Sequence, residues 1–148
     1  AELGEGEATE LVARPTDEPE YMELARRKTG ALFRAAAELG AVAADADPFT
    51  VEAFGDYAER VGVAFQIRDD VLDATADADA LGKPTGQDAA MDRPSLVQVT
   101  DLSLEEANGR AHAQSEQALD ALAASNVDDS DALEYLQDLA EFVVVRER

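Results

Sequence analysis

The sequence predicts an all-α fold, and three observations lead to this prediction. Apolar residues make up 46% of the 148 positions, aromatic residues only 5%, and alanine is frequent throughout. Alanine favours helices, whereas aromatic residues, which favour strands, are few. Apolar side chains recur at helical spacing, and no segment shows the alternation typical of a strand. The length suggests one domain that is large enough to bury a core.

Local start signals define the predicted helices. Asp17 is a candidate N-cap, Asp47 is another with Pro48 at the first helical position, and Ser103 with Glu106 forms a capping box. A loop rich in Gly, Pro and Asp follows the third helix. We expect helices near residues 2–13, 18–44, 48–76, 95–99, 104–124 and 129–145.

Charge and composition exclude several classes of function. The chain carries 33 acidic and 12 basic residues, a net charge of −21, which repels nucleic acids and anionic lipid surfaces. No apolar run approaches the roughly 20 residues of a membrane span. The absence of cysteine excludes disulfides and thiolate metal sites. The N-terminus lacks the features of a signal peptide. We therefore expect a cytoplasmic protein that has no membrane span and does not bind nucleic acid.

The stretch "FQIRDDVLD" (residues 65–73) places acidic side chains in an apolar helix. At 100° per residue, its three aspartates fall within about 60° of Gln66, and together these four residues form a polar stripe. They are Gln66, Asp69, Asp70 and Asp73. Most of the remaining circumference is apolar, which is typical of a buried helix. The polar stripe is then expected to open onto water or a ligand cavity. Gly55 and Gly62 lie on the same stripe, and we interpret them as leaving it bare for a ligand.

Three neighbouring carboxylates repel one another, and a hard divalent cation such as Mg²⁺ would resolve the conflict. Lys28, Lys83 and Arg93 are candidates to hold an oligophosphate from its other side. The alternatives are a solvated acidic face and ordinary surface cations. His112 lies on a polar helix and is interpreted as a surface residue.

Several motifs resemble the trans-isoprenyl diphosphate synthases, the polyprenyl synthetase family. "FQIRDDVLD" is similar to the second aspartate-rich motif of that family, F-Q-x-x-D-D-x-x-D. "KTGALFRAAAELGA" (residues 28–41) resembles its Lys-Thr helix, and "LGKPTGQD" (residues 81–88) resembles its L-G-K-x-x-G-x-D loop. "GEATEL", "DRPSLV" and "FVVVRER" resemble further segments in the same order. The resemblance implies the C-terminal half of an isoprenoid-synthase-type helical bundle, of the short-chain (farnesyl or geranylgeranyl) type.

The resemblance also implies roles for individual residues. The metal ligands would be Asp69, Asp70 and Asp73, which bind Mg²⁺ on an allylic diphosphate. The substrate-binding residues would be Lys28, Thr29, Gln66, Lys83 and Arg93, the first three also acting in catalysis. Arg93 stands where the family usually has Lys, so its charge is kept while its geometry differs. The reaction implied is a prenyl transfer from the allylic diphosphate to isopentenyl diphosphate.

The other aspartate-rich motif of the family, found in its N-terminal half, has no match in residues 1–148. We therefore expect a single partial domain that is inactive by itself and belongs to a homodimer in the full-length protein. A terpene synthase-like enzyme is one alternative. A non-catalytic subunit that binds a catalytic chain through exposed apolar helices is another. Product chain length stays open.

The acidic surface predicts adaptation to high salt, because screening by salt relieves repulsion among carboxylates. An acidic disordered chain is disfavoured by the 46% apolar content. We expect the thermal midpoint to be higher in molar KCl than at low salt, as followed by circular dichroism. A higher midpoint at low salt would contradict salt adaptation.

Overall fold

The computed structural model describes residues 15–79, 96–125 and 131–147. The described residues contain α1 (Glu18–Ala25), α2 (Ala31–Ala43), α3 (Pro48–Asp79), α4 (Leu96–Val99), α5 (Leu104–Ala123) and α6 (Asp131–Val145). A π-helical turn at Arg26–Gly30, here called the π-turn, joins α1 to α2. These residues include no strand, and the all-α prediction is confirmed. The helix expected near residues 2–13 lies outside the described residues.

The predicted helix starts are confirmed by the hydrogen bonds of their capping side chains. The Asp17 carboxylate accepts from the Glu20 backbone N–H at 2.9 Å, and Asp47 accepts from that of Thr50 at 2.8 Å. The Ser103 hydroxyl accepts from the Glu106 N–H at 3.1 Å, and the Glu106 carboxylate accepts from the Ser103 N–H at 3.1 Å. Each bond satisfies a backbone donor that a helix start would leave unpaired.

The 32-residue helix α3 forms the centre of the bundle and contacts every other described helix. One flank packs against the alanine stripe of α5, where Ala107, Ala111 and Ala118 are fully buried. Small side chains at these positions allow the two helix axes to approach closely. The buried flank of α3 includes Val61 and Ile67, which are 3% and 0% exposed. The aspartates of α3 therefore belong to a helix that is packed against several neighbouring helices. Within the described ranges, no helix is both long and apolar enough to cross a membrane.

The π-turn crosses α3 at a pair of glycines. A Cβ atom added to Gly62 would lie 3.1 Å from the Gly30 Cα, the Thr29 carbonyl oxygen and a Phe33 ring carbon. Such distances are shorter than ordinary van der Waals contact, so a side chain at position 62 would require its neighbours to shift by a few tenths of an ångström. Because the sequence predicts an uninterrupted helix here, the π-turn is a difference from prediction. Such turns are frequent at functional sites.

The interpretation of Gly55 and Gly62 as a bare ligand surface is wrong. Both glycines are buried, Gly62 beneath the π-turn and Gly55 beneath the side chains of Arg34 and Glu38. Helical periodicity correctly placed these glycines on one face of α3, but it carries no information about which element covers that face. Their lack of side chains allows α2 and the π-turn to dock.

An arginine of α2 continues this docking along the acidic part of α3. The Arg34 guanidinium lies 2.7 Å from the Asp56 carboxylate, 3.1 Å from that of Glu52 and 3.6 Å from that of Glu59. The side chain of Arg34 is 20% exposed, so these pairs are partly shielded from solvent. A single cation thereby offsets the repulsion among three carboxylates of α3.

Replacing Gly62 with alanine is expected to lower the free energy of unfolding by about 1–3 kcal/mol, because the added methyl group overpacks the crossing. Gly109→Ala is the matched control, since a Cβ atom there has no neighbour within 4 Å. Alanine at this helical position should raise stability by about 0.5–1 kcal/mol. Urea unfolding measured at 222 nm gives both values. Equal effects of the two substitutions would contradict the close crossing.

Candidate functional site

Asp69, Asp70 and Asp73 form a carboxylate cluster near the C-terminal end of α3. One oxygen atom from each lies within 4.8 Å of the others. Asp69 and Asp73 are partly exposed, whereas Asp70 is 7% exposed. Because carboxylate oxygens are the ligands that Mg²⁺ prefers, the donor set and its spacing fit a hard divalent cation.

Asp70 is the buried member of the cluster, and both of its oxygens accept hydrogen bonds. The Tyr21 hydroxyl donates to Oδ2, and the Gln66 side-chain amide donates to Oδ1 at 3.2 Å. Burial raises the pKa of Asp70 to about 7; the Tyr21 hydrogen bond opposes the rise and the Asp69 charge adds to it. A nearby cation would favour the ionised form of this carboxyl group.

Thr29 and Gln66 connect the π-turn to the carboxylate cluster. The Thr29 hydroxyl donates to the Gln66 side-chain oxygen at 2.9 Å, while the Gln66 amide nitrogen donates to Asp70. In its ionised form, which a bound cation would favour, Asp70 accepts but cannot donate, so it determines which end of the Gln66 amide faces it. The Gln66 oxygen is consequently directed toward Thr29.

The structure brings together five of the predicted site residues. Thr29, Gln66, Asp69, Asp70 and Asp73 lie in one region of the bundle. Lys28 precedes Thr29 on the π-turn and is partly buried. Lys83 and Arg93 lie outside the described residues. His112 is exposed on α5, as expected for a surface residue.

Tyr21 is a site residue that the sequence analysis missed. It lies in α1, is 2% exposed and donates its hydroxyl proton to Asp70, 49 positions further along the chain. Its spacing from Lys28, seven positions, corresponds to two helical turns and would have placed both on one face. A tyrosine at helical spacing is nevertheless common in any core, so the spacing alone does not distinguish it.

Arg146 is the second missed residue, and it approaches the cluster from the end of α6. Its guanidinium lies 4.4 Å from the centre of the Phe65 ring, and its Nη2 atom lies 3.9 Å from the Asp69 carboxylate. The backbone of Arg146 is fixed by Arg68, whose Nε and Nη2 atoms donate to the Arg146 carbonyl oxygen at 3.0 and 2.8 Å. A cation from a distant part of the chain therefore faces Asp69.

Fold and site together define a class: a helical-bundle protein with a carboxylate cluster suited to a metal-bound anionic ligand. The family model for polyprenyl synthetase matches residues 1–139. The chain belongs to the polyprenyl synthetase family.

Individual relatives agree with this assignment. The chain is 42% identical over 99 residues to the short chain isoprenyl diphosphate synthase of Methanocaldococcus jannaschii, covering 65% of this chain and 30% of the relative. It is 35% identical over 156 residues to the geranylfarnesyl diphosphate synthase of Aeropyrum pernix, covering 99% and 48%. These relatives confirm the resemblance to short-chain isoprenyl diphosphate synthases.

A solved structure gives the same result for the fold. A polyprenyl synthase from Caulobacter crescentus, complexed with calcium and isoprenyl diphosphate, superposes with a TM-score of 0.81 at 28% identity. The superposition covers 99% of this chain and 56% of that one. The chain thus spans about half the length of this structure and of the A. pernix enzyme, and less of the M. jannaschii enzyme.

Replacing Arg68 with methionine is expected to lower the free energy of unfolding by about 1–3 kcal/mol, because the substitution leaves the Arg146 carbonyl and the Asn108 side chain without a donor. Arg110→Met is the control. Arg110 pairs at 3.1 Å with the Glu18 carboxylate, both side chains are partly exposed, and the loss of such a surface pair should cost about 0–1 kcal/mol. Equal stability of the two variants in urea would show that Arg68 does not anchor α6.

Proposed function

We propose that this chain supplies the second aspartate-rich half of an Mg²⁺-dependent prenyltransferase site, one that joins an allylic diphosphate to isopentenyl diphosphate. The observation that carries the proposal is the carboxylate cluster of α3 connected by hydrogen bonds to Thr29 on the π-turn. Membership of the polyprenyl synthetase family supports the proposal. So does the relative from C. crescentus, which was crystallised with calcium and isoprenyl diphosphate.

In this proposal Asp69, Asp70 and Asp73 hold the metal ion. When bound, the ion would neutralise charge on the departing pyrophosphate. Lys28, Lys83 and Arg93 contact the diphosphate by charge-assisted hydrogen bonds and so stabilise it as it leaves. The lysines act as compact point charges, while Arg93 offers a planar fork of donors.

Thr29 and Gln66 act at the allylic carbon in the proposed reaction. Thr29 donates a hydrogen bond to the Gln66 oxygen, so both lone pairs of the Thr29 oxygen and the second lone pair of the Gln66 oxygen remain available to positive charge. Oxygen dipoles that are fixed before the reaction stabilise a developing carbocation without reorganising. The Asp70 bond to the Gln66 amide keeps that orientation in place.

The proposed activity requires more than these 148 residues. The cluster of α3 offers one set of carboxylates, and the family resemblance implies a second aspartate-rich motif that the sequence does not contain. We propose that the partial domain, residues 1–148, is inactive alone and that the complete protein is a cytoplasmic, salt-adapted homodimer. Exposed apolar side chains on α2 and at the start of α3, such as Leu39, Val42 and Phe49, are suited to such an interface.

Calorimetric titration of the 148-residue chain with geranyl diphosphate in Mg²⁺ tests the binding role. Asp69→Asn is expected to weaken binding about tenfold or more, because it removes a charged ligand of the ion. Asp138→Asn, which changes an exposed aspartate of α6, is the matched control and should bind like the wild type. Unchanged affinity of the Asp69 variant would overturn the proposed site.

Inactivity of the chain alone is tested separately. Incubation with labelled isopentenyl diphosphate, geranyl diphosphate and Mg²⁺ should give no elongated product, because one set of carboxylates is missing. Extraction of longer labelled prenyl products, absent from an Asp69→Asn control, would refute the requirement for a second motif.

A further inference from the structure

We infer that Tyr21 is a positioning residue that fixes Asp70 and, through Asp70, the orientation of the Gln66 amide beside Thr29. The inference rests on the proposed function, because it assigns Tyr21 a role toward the proposed metal and substrate groups. Tyr21 itself lies in the core, and the inferred role runs through its hydrogen bond to Asp70.

Core packing fixes the side chain of Tyr21, so its hydroxyl cannot follow a movement of Asp70. The side chain is 2% exposed and belongs to the same core cluster as Ala25, Ile67 and Val71. Packing at native density leaves a buried ring few alternative rotamers. The hydroxyl of such a ring requires an acceptor, and the Asp70 Oδ2 atom provides it. The two buried polar groups therefore fix each other.

Asp70 transmits this constraint along a chain of hydrogen bonds. Tyr21 donates to one carboxylate oxygen and the Gln66 amide to the other, and Thr29 donates to the Gln66 oxygen. Without the Tyr21 donor, the Asp70 carboxylate would keep one hydrogen bond instead of two, and the Gln66 amide would face an acceptor that is no longer fixed from its other side.

The arrangement also gives the three aspartates different tasks. Both oxygens of Asp70 accept hydrogen bonds from the protein, whereas Asp69 and Asp73 are partly exposed at the surface of the cluster. Removing a group that hydrogen-bonds to a metal ligand and orients it typically changes the metal affinity 10- to 100-fold. Tyr21 is such a group for Asp70.

The test compares two tyrosine-to-phenylalanine variants of the 148-residue chain by Mn²⁺ titration, with bound ion measured by electron paramagnetic resonance. Tyr21→Phe keeps the ring and removes the donor to Asp70. Tyr57→Phe is the matched control, because the Tyr57 hydroxyl is also part of a buried residue but donates to the Leu136 carbonyl at 2.6 Å. Urea unfolding of both variants measures their loss of stability.

We expect Tyr21→Phe to weaken Mn²⁺ binding about tenfold or more, and Tyr57→Phe to bind like the wild type. A purely structural Tyr21 would lose stability as Tyr57 does and leave affinity unchanged, which would overturn the inference. The proposed function fails differently: wild type and Asp69→Asn would then bind Mn²⁺ equally.

If Tyr21→Phe does not fold, the wild-type chain labelled with 3-fluorotyrosine provides the second measurement. The fluorine resonance of Tyr21 is expected to shift on saturation with Mg²⁺, while those of Tyr57 and Tyr135 stay in place. A Tyr21 resonance that is insensitive to Mg²⁺ would overturn the positioning role.

Discussion

The contact between Gly30 and Gly62 is the constraint on which the rest of the structure depends. The two backbones meet where the π-turn crosses α3, so closely that an added Cβ atom at Gly62 would lie 3.1 Å from the Gly30 Cα. This crossing fixes the separation of Thr29 from Gln66, and the 2.9 Å hydrogen bond between their side chains requires that separation. Arg34 on one side and Tyr21 on the other then extend the contact along α3. The contacts that dock α1 and α2 against α3 are therefore the same contacts that assemble the site.

Electrostatics is organised around α3 in the same way. With 33 acidic and 12 basic residues, the chain has few cations, yet several of its arginines belong to this one helix or pair with it. Arg34 pairs with the carboxylates of its first half. The Arg68 side chain donates to the Arg146 carbonyl oxygen. The Arg146 side chain stacks on the Phe65 ring and approaches Asp69. One oxygen atom from each carboxylate of the cluster lies within 4.8 Å of the others, which is why a divalent cation suits it.

The sequence predicted the all-α class, the helix starts and the stripe of Gln66, Asp69, Asp70 and Asp73, because these depend on local signals: capping side chains and a fixed angle per residue. The sequence could not predict which element packs against a given face of a helix. Gly62 was interpreted as open to a ligand, although it is covered by the π-turn. Tyr21 and Arg146 were missed for the same reason, since their contacts with Asp70 and Asp69 join distant parts of the chain.

The spacing of those contacts has a consequence for folding. The three aspartates are neighbours in the unfolded chain, where they repel one another, but Tyr21, which holds Asp70, is 49 positions away, and Thr29 is 37 positions from its partner Gln66. Bringing such distant positions together has an entropic cost that must be met before the contact forms. The hydrogen bonds of Tyr21 and Thr29 therefore form only when the chain between their partners has closed into a loop. A cation that binds the assembled cluster in preference to the unfolded chain would act as a thermodynamic ligand of the native state. The three carboxylates, which repel one another in the unfolded chain, would then stabilise the native state through the bound cation.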